Sequence, residues 1–271
     1  MDEVWIVRPG QVPYADAVGV QKRLEAARHA GDIPDVLLLL EHPPVYTKGR
    51  RTDPSELAMG EDWYRMQGIE VSETNRGGRV TYHGPGQLVG YPIADLKAYG
   101  DDVHRFVRGI EQTMIEALAA MGVEAQCIKD LTGVWTLGDP PSAAAPSAAS
   151  SSASRPGAAG VGLEPGGPDQ PKKIGSIGIH VNRGITTHGL AINVNNDLQP
   201  FEWIVPCGIE GVRMTSVCRE LGAEQDLGAA MTAVASAYGE AFERAPVEIS
   251  PVELAERAGI EPIAAGSVPA A

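Results

Sequence analysis

Lys173 and Cys207, near the two ends of one stretch of chain, have side chains that could meet as a nucleophilic dyad. A thiolate is a strong nucleophile toward activated acyl groups, and a nearby cation or inward-pointing backbone N–H groups stabilise it. Cys207 stands in a Pro206-Cys207-Gly208 turn after an apolar run over 203–205. Proline stops the run, and glycine permits a tight turn that aims N–H groups inward. The same pattern also fits a buried, inert cysteine, the usual state of an intracellular thiol.

Lys173 opens an alternating segment that reads as a strand. One row carries Lys173, Gly175, Ile177, Ile179 and Val181, and the other carries Lys172, Ile174, Ser176, Gly178 and His180. Lys173 therefore shares the more apolar row. A lysine there is either a snorkelling edge residue or a functional amine. Asn182-Arg183-Gly184 reads as a hairpin turn. The returning strand places His188, Leu190, Ile192 and Val194 on one row and Gly189, Ala191 and Asn193 on the other. The small residues leave room for a ligand against the backbone, or for a packed helix.

A second dense stretch is Arg76-Gly77-Gly78-Arg79-Val80-Thr81-Tyr82-His83, followed by Gly84-Pro85-Gly86-Gln87. Its glycine spacing misses the dinucleotide fingerprint, a strand over 88–93 follows where a helix would start, and the chain has no P-loop sequence. The stretch reads as a ligand-lining strand and turn with Arg76, Tyr82 and His83 as polar handles, or as a structural turn with a satisfied histidine.

The remaining elements must position these two stretches. Strands are expected over 4–7, 36–40, 123–128 and 133–137. Tyr14, Ala17, Val18, Gln21, Leu24 and Arg28 mark a helix, and residues 101–121 give the clearest one, with Asp101 or Asp102 as cap. A short helix over 215–221, a long one beginning near Leu227 and a weak one over 251–258 complete the pattern. Residues 139–172 are mostly Pro, Ser, Ala and Gly, which cannot bury enough surface to offset chain entropy. They read as a disordered surface insertion in one domain spanning 1–245, with 246–271 as a weakly ordered tail.

Composition narrows the function classes. The net charge of −13 argues against a nucleic-acid partner. The three cysteines, Cys127, Cys207 and Cys218, form no CxxC pair, so neither a zinc site nor a disulfide framework is expected, and no metal or cofactor is implied. The chain begins Met-Asp-Glu without a basic leader, and its longest aliphatic run, over 36–40, is too short to span a bilayer. A soluble cytoplasmic protein with no membrane partner is expected.

Five segments together carry a resemblance: EHPPVYTKGR (41–50), RGGRVTYHGPGQLVGYPIADL (76–96), KIGSIGIH (173–180), THGLAINVNNDL (187–198) and IVPCGIEGVRMTSV (204–217). They closely resemble the lipoyl(octanoyl) transferases of lipoate biosynthesis, over essentially residues 4–245 apart from the insertion. The resemblance implies an α/β fold with a mixed central sheet flanked by helices, like the catalytic domain of biotin protein ligases and lipoate ligases. It implies transfer of octanoyl from octanoyl-acyl carrier protein to a lysine of lipoyl domains, in 2-oxoacid dehydrogenases or the glycine-cleavage H protein. Cys207 would carry the acyl group as a thioester with Lys173 as its partner. Arg76, Gly77, Gly78, Arg79, Val80, Thr81, Tyr82 and His83 match the family's acyl-binding segments. Ser176, Ile177 and Gly178, and Gly189, Leu190 and Ala191, match them too. A monomer is expected.

The chemistry fits these residues. A thioester donor is already activated, so ATP is not needed, and attack by a thiolate preserves that activation. Backbone N–H groups near Gly208 and Gly78, and the His83 ring, are candidates for holding the oxyanion. Burying about six methylenes at ~0.8 kcal/mol each yields on the order of 5 kcal/mol, enough to select an eight-carbon chain over a very short one. Gly178, Gly189 and Ala191 are expected to floor the groove. Lys48, Arg50, Arg51, Arg76, Arg79, Arg105 and Arg108 are candidates for a basic rim that meets an acidic carrier protein. Three other readings fit parts of the pattern: an ATP-dependent ligase of the same fold, a cysteine hydrolase pairing Cys207 with His83 or His188, and a non-catalytic carrier-binding module.

Overall fold

Alternating apolar rows separated by glycine turns build two sheets, and the computed structural model describes residues 2–137, 170–209 and 211–263. Strand β1 (Glu3–Gln11) leads into helix α1 (Tyr14–Ala30), which ends on left-handed Gly31. Strand β2 (Asp35–Glu41) is buried along both rows up to Glu41, because helices cover both faces of the sheet. Next come β3 (Val45–Lys48), α2 (Glu61–Met66), β4 (Glu70–Glu73), β5 (Thr81–His83) and β6 (Gln87–Ile93). Helix α3 (Val103–Ala120) starts at Asp102, whose carboxylate accepts the N–H groups of His104 and Arg105. Strands β7 (Ala125–Ile128), β8 (Leu131–Thr136), β9 (Lys173–Asn182) and β10 (Ile185–Asn193) follow. The chain closes with α4 (Gln199–Glu202), α5 (Val217–Leu221), α6 (Leu227–Ala241), β11 (Ala245–Glu248) and α7 (Pro251–Ala258).

The large sheet has the strand order β11-β1-β2-β6-β10-β9-β8-β7, and β4-β3-β5 form a small second sheet. Strand β1 runs parallel to both β2 and β11, whereas β2, β6, β10, β9 and β8 pair antiparallel. The mixed sheet flanked by helices is the architecture the sequence implies. One face packs Val4, Ile6, Leu37 and Leu39 against Phe106, Ile110 and Met114 of α3 and Val234 and Tyr238 of α6. The other packs Val7, Leu38, Leu40 and Val89 against Val20 and Leu24 of α1 and Leu254 of α7.

Two local expectations change. Helix α1 buries Val20 and Ala27 in place of Val18 and Arg28. Arg28 instead pairs with Asp35 at 2.7 Å. The fold also continues past residue 245. Strand β11 adds to the edge of β1, and α7 buries Leu254 and Ala255. The helix stands at 251–258, where the sequence places it, whereas a short edge strand gives little periodic signal. The rest of the expected tail, 264–271, and nearly all of the 139–172 insertion lie outside the described residues. Among the described residues, no helix is long and apolar enough to cross a membrane.

Candidate active site

The chain brings Lys173 and Cys207 together through backbone pairing. The segment after the cysteine turn runs beside the start of β9. There the Lys173 N–H donates to Arg213 O at 2.8 Å, and the Thr215 N–H donates to Lys173 O at 3.0 Å. On its other side Lys173 pairs with Trp135 of β8. The cysteine turn is tied in turn to the loop before β5, because the Cys207 N–H donates to Val80 O at 2.9 Å. Cys207 and Gly208 are both left-handed, with φ of 58° and 66°. For the cysteine this is a strained state that costs ~1–3 kcal/mol and persists only where the surroundings impose it. A Cβ on Gly208 would run into Arg79 Cδ. Arg79 is itself paired with the buried carboxylate of Glu56.

The Lys173 side chain is 2 % exposed. Its ammonium donates to Thr132 O at 2.8 Å, lies 3.6 Å from Cys207 Sγ and stands 5.3 Å over the Trp135 ring. Among the described residues no carboxylate is bonded to it, which leaves the thiol as its ionisable partner.

Cys207 and Lys173 line a cavity of about 420 Å³. Of the residues expected from sequence, Arg76, Gly77, Gly78, Arg79, Thr81 and His83 line one part of it, and Ser176, Ile177, Gly178, Gly189, Leu190 and Ala191 another. Val80 and Tyr82 do not line it. Alternation along β5 turns them into an aromatic cluster with Tyr46, Tyr64 and Phe201. Val80 serves Cys207 through its carbonyl alone. Strand β9 lines the cavity with both of its rows, from Ser176 to Ile179, because β8 pairs with it only as far as Gly175 and leaves the edge beyond open.

One residue of the expected rows of β10 needs correction, His188. His188 is left-handed at φ 57°, with its N–H held by Gln21 Oε1 at 2.7 Å. The alternation breaks there. His188 turns its ring to Tyr91 and to Asn75 Oδ1 (2.7 Å), while Leu190, Ile192 and Val194 join the core under α3 and α6. The glycines have a structural reason as well. A Cβ on Gly189 would strike the backbone of Gly90, and one on Gly178 would meet Gly77 O at 3.0 Å. They let β6 and the 76–79 loop close on β10 and β9.

Three buried histidines stand near the cavity. Burial pushes His42 down to about 4 and His83 well below the ordinary range. Burial first, and then the Arg76 charge, push His188 down to about 3. All three are therefore neutral at pH 7. The hydrogen bonds fix the His83 tautomer. Gln87 Nε2 donates to Tyr82 O and Asn193 Oδ1, so Gln87 Oε1 accepts from His83 Nδ1 at 2.7 Å. His83 Nε2 is then an acceptor, and the ring cannot donate to an oxyanion. Gly208 is also excluded as an oxyanion donor, since its N–H is bonded to Val205 O. The Gly78 N–H has no partner among the described residues, and Gly78 is one of the residues lining the cavity. Neither His83 nor His188 hydrogen-bonds Cys207, which removes the geometric basis for a hydrolase dyad.

The basic rim is smaller than the sequence suggests. Lys48 lies between Glu61 (2.8 Å) and Glu73 (3.2 Å), and Arg76 is buried on Thr47 O (2.6 Å) and Gly77 O (3.1 Å). Arg50, Arg51, Arg105 and Arg108 carry no ion pair among the described residues, and Arg51 reaches the cavity.

Residues that the sequence did not single out complete the site. Thr132 contributes a carbonyl, which leaves no mark on residue type. Tyr14 and Tyr91 line the cavity from α1 and β6. Gly133, a glycine inside a strand, was a readable sign of close approach.

The sequence matches the family model of the lipoyl protein ligase A/B catalytic domain over residues 13–239. It is 41% identical over 215 residues to an octanoyltransferase of Acidobacterium capsulatum, covering 77% of this chain and 76% of that protein. It is 42% identical over 234 residues to an octanoyltransferase of Rubrobacter xylanophilus, covering 86% of this chain and 90% of that one. The fold is similar to that of a bipartite lipoate protein ligase from Thermoplasma acidophilum, with a TM-score of 0.64 at 14% identity, over 95% of this chain and 91% of that one. The chain thus belongs to the lipoyl protein ligase A/B catalytic domain family and, within it, to the octanoyltransferases.

Proposed function

We propose that this enzyme moves an octanoyl group from octanoyl-acyl carrier protein to a lysine of lipoyl domains through a thioester on Cys207. The observation that carries this reading is the Lys173 ammonium 3.6 Å from Cys207 Sγ, inside the cavity and, among the described residues, without a carboxylate bonded to it. A buried ammonium next to a thiol is the natural counter-ion of the attacking thiolate.

In the first half-reaction the Cys207 sulfur attacks the donor thioester carbonyl. A new C–S bond forms on Cys207, and the donor's C–S bond breaks. The departing thiolate takes a proton and leaves as a thiol. The Gly78 N–H stabilises the transient oxyanion. In the second half-reaction a lysine amine attacks, and the acyl group leaves Cys207 as an amide. Ile177, Leu190 and Ala191 supply apolar wall to the acyl chain. The acceptors are lipoyl domains of 2-oxoacid dehydrogenases and the glycine-cleavage H protein. The three cysteines are free thiols, which suits the reducing cytoplasm.

The test is a transfer assay with octanoyl-acyl carrier protein, an apo lipoyl domain and no ATP. Amide product that disappears in Cys207→Ser is expected. Product formed only from octanoate and ATP would contradict the reading and favour a ligase.

A further inference from the structure

The cavity is charged unevenly. Arg51, Arg76, Arg79 and Lys173 line it as cations, and Asp130 is the one carboxylate that does so among the described residues. Three of the cations are already committed: Arg76 to Thr47 O, Arg79 to Glu56 and Lys173 to Thr132 O. Asp130 is not. It is exposed, and no ion pair or hydrogen bond holds its carboxylate among the described residues. Its place is nonetheless fixed. It stands in the two-residue link between β7 and β8, where Ile128 pairs with Leu131. The next residue, Leu131, packs in the cluster that contains Cys207, and Thr132 O holds the Lys173 ammonium.

The second half-reaction brings a cation to this rim. A lysine has a pKa near 10.4, so about one in a thousand is a neutral amine at pH 7, and the acceptor arrives as ammonium. Among the described lining residues the cations repel it, and Asp130 alone attracts it. We infer that Asp130 receives the ε-ammonium of the acceptor lysine and is the positioning residue that admits it to the acylated cysteine. This rests on the acyl-enzyme reading above. After docking, the ammonium gives up one proton to solvent and the amine attacks the thioester carbonyl. The C–N bond forms, the C–S bond breaks with its electron pair going to Cys207 Sγ, and the sulfur takes the second amine proton. The balance is thioester plus ammonium to amide, thiol and one released proton.

The test uses isolated octanoyl-enzyme of wild type, Asp130→Asn and Asp130→Glu, with decay of the adduct followed by intact mass. One arm adds an apo lipoyl domain at low salt and again at high salt. The other adds hydroxylamine, which is uncharged at pH 7. An exposed ion pair is modest in strength and is screened by salt. Asp130→Asn should therefore slow decay by the lipoyl domain about two- to fivefold at low salt, with the difference fading at high salt. Hydroxylamine should act on all three proteins alike, and Asp130→Glu should restore the lysine reaction. Equal lysine rates, or equal slowing of the lysine and hydroxylamine reactions, would overturn the inference. Failure to form any octanoyl-enzyme would instead overturn the acyl-enzyme reading on which it rests.

Discussion

Gly133 leaves open the space through which the end of the Lys173 side chain passes. A Cβ at 133 would meet Lys173 Cε at 3.0 Å and Nζ at 3.2 Å, and Gly175 O at 2.5 Å. The backbone at Gly133 has φ 111°, which disfavours any other residue. The position of the ammonium therefore depends on a missing side chain in the neighbouring strand as much as on the lysine.

Gly133→Ala is expected to damage both stability and the site. The unfavourable φ and the overpacking together should cost about 2–4 kcal/mol in denaturant unfolding. Formation of any Cys207 adduct should slow by at least about tenfold, because the ammonium must move. A variant with native stability and native adduct formation would show that the close approach is unimportant.

Lys173→Met retains much of the aliphatic volume and removes the ammonium. Alkylation of Cys207 by iodoacetamide at pH 7 should slow by about tenfold or more, since the thiolate is the reacting form. The measurement is made with Cys127 and Cys218 replaced by serine, so that one thiol reports. Unchanged alkylation would remove Lys173 as the activating group.

Stability should fall on acidification below about pH 6.5. His42, His83 and His188 have folded values held below the ordinary one by burial. The unfolded chain therefore binds more protons than the folded one. This stabilising contribution is complete above the unfolded value of about 6.5 and is lost as pH falls toward about 4 for His42 and about 3 for His188. From pH 7.5 to 5.5 the three together should cost roughly 4 kcal/mol. Urea midpoints across that range test it, and a flat profile would mean that the rings are protonated in the folded protein.

Arg50→Glu with Arg51→Glu should raise KM for the acyl carrier protein, more at low salt than at high salt, because neither arginine is held by a carboxylate among the described residues and Arg51 lies at the cavity. Lys48→Glu should matter less for docking, since Lys48 is already neutralised by Glu61 and Glu73. An unchanged KM in the double variant would place the carrier elsewhere on the surface.

Much of this site was legible because its cues are local. The hairpin between β9 and β10 turns on Arg183 and Gly184, both left-handed as a two-residue turn requires. Alternation along β9 put Lys173 on a strand row with Ile177 and Ile179, and Asp102 capped α3 as expected. Elsewhere tertiary contacts override the local rules. His188 left its row because Gln21, far away in sequence, holds its amide. Val80 and Tyr82 faced away from the cavity because a second small sheet offered them an aromatic core. Strand β11 leaves little mark on the sequence because it is short and pairs only along β1 in the described residues. The Thr132 carbonyl was not legible at all, since any residue type would present the same group.

Transfer through Cys207 requires a covalent octanoyl group on its sulfur. Intact mass after brief mixing with octanoyl-acyl carrier protein tests it most directly, with wild type and Cys207→Ser run side by side. One octanoyl adduct is expected on wild type, removed by hydroxylamine and absent from Cys207→Ser. Amide product on a lipoyl domain with no adduct at any time, or an adduct that survives in Cys207→Ser, would contradict it.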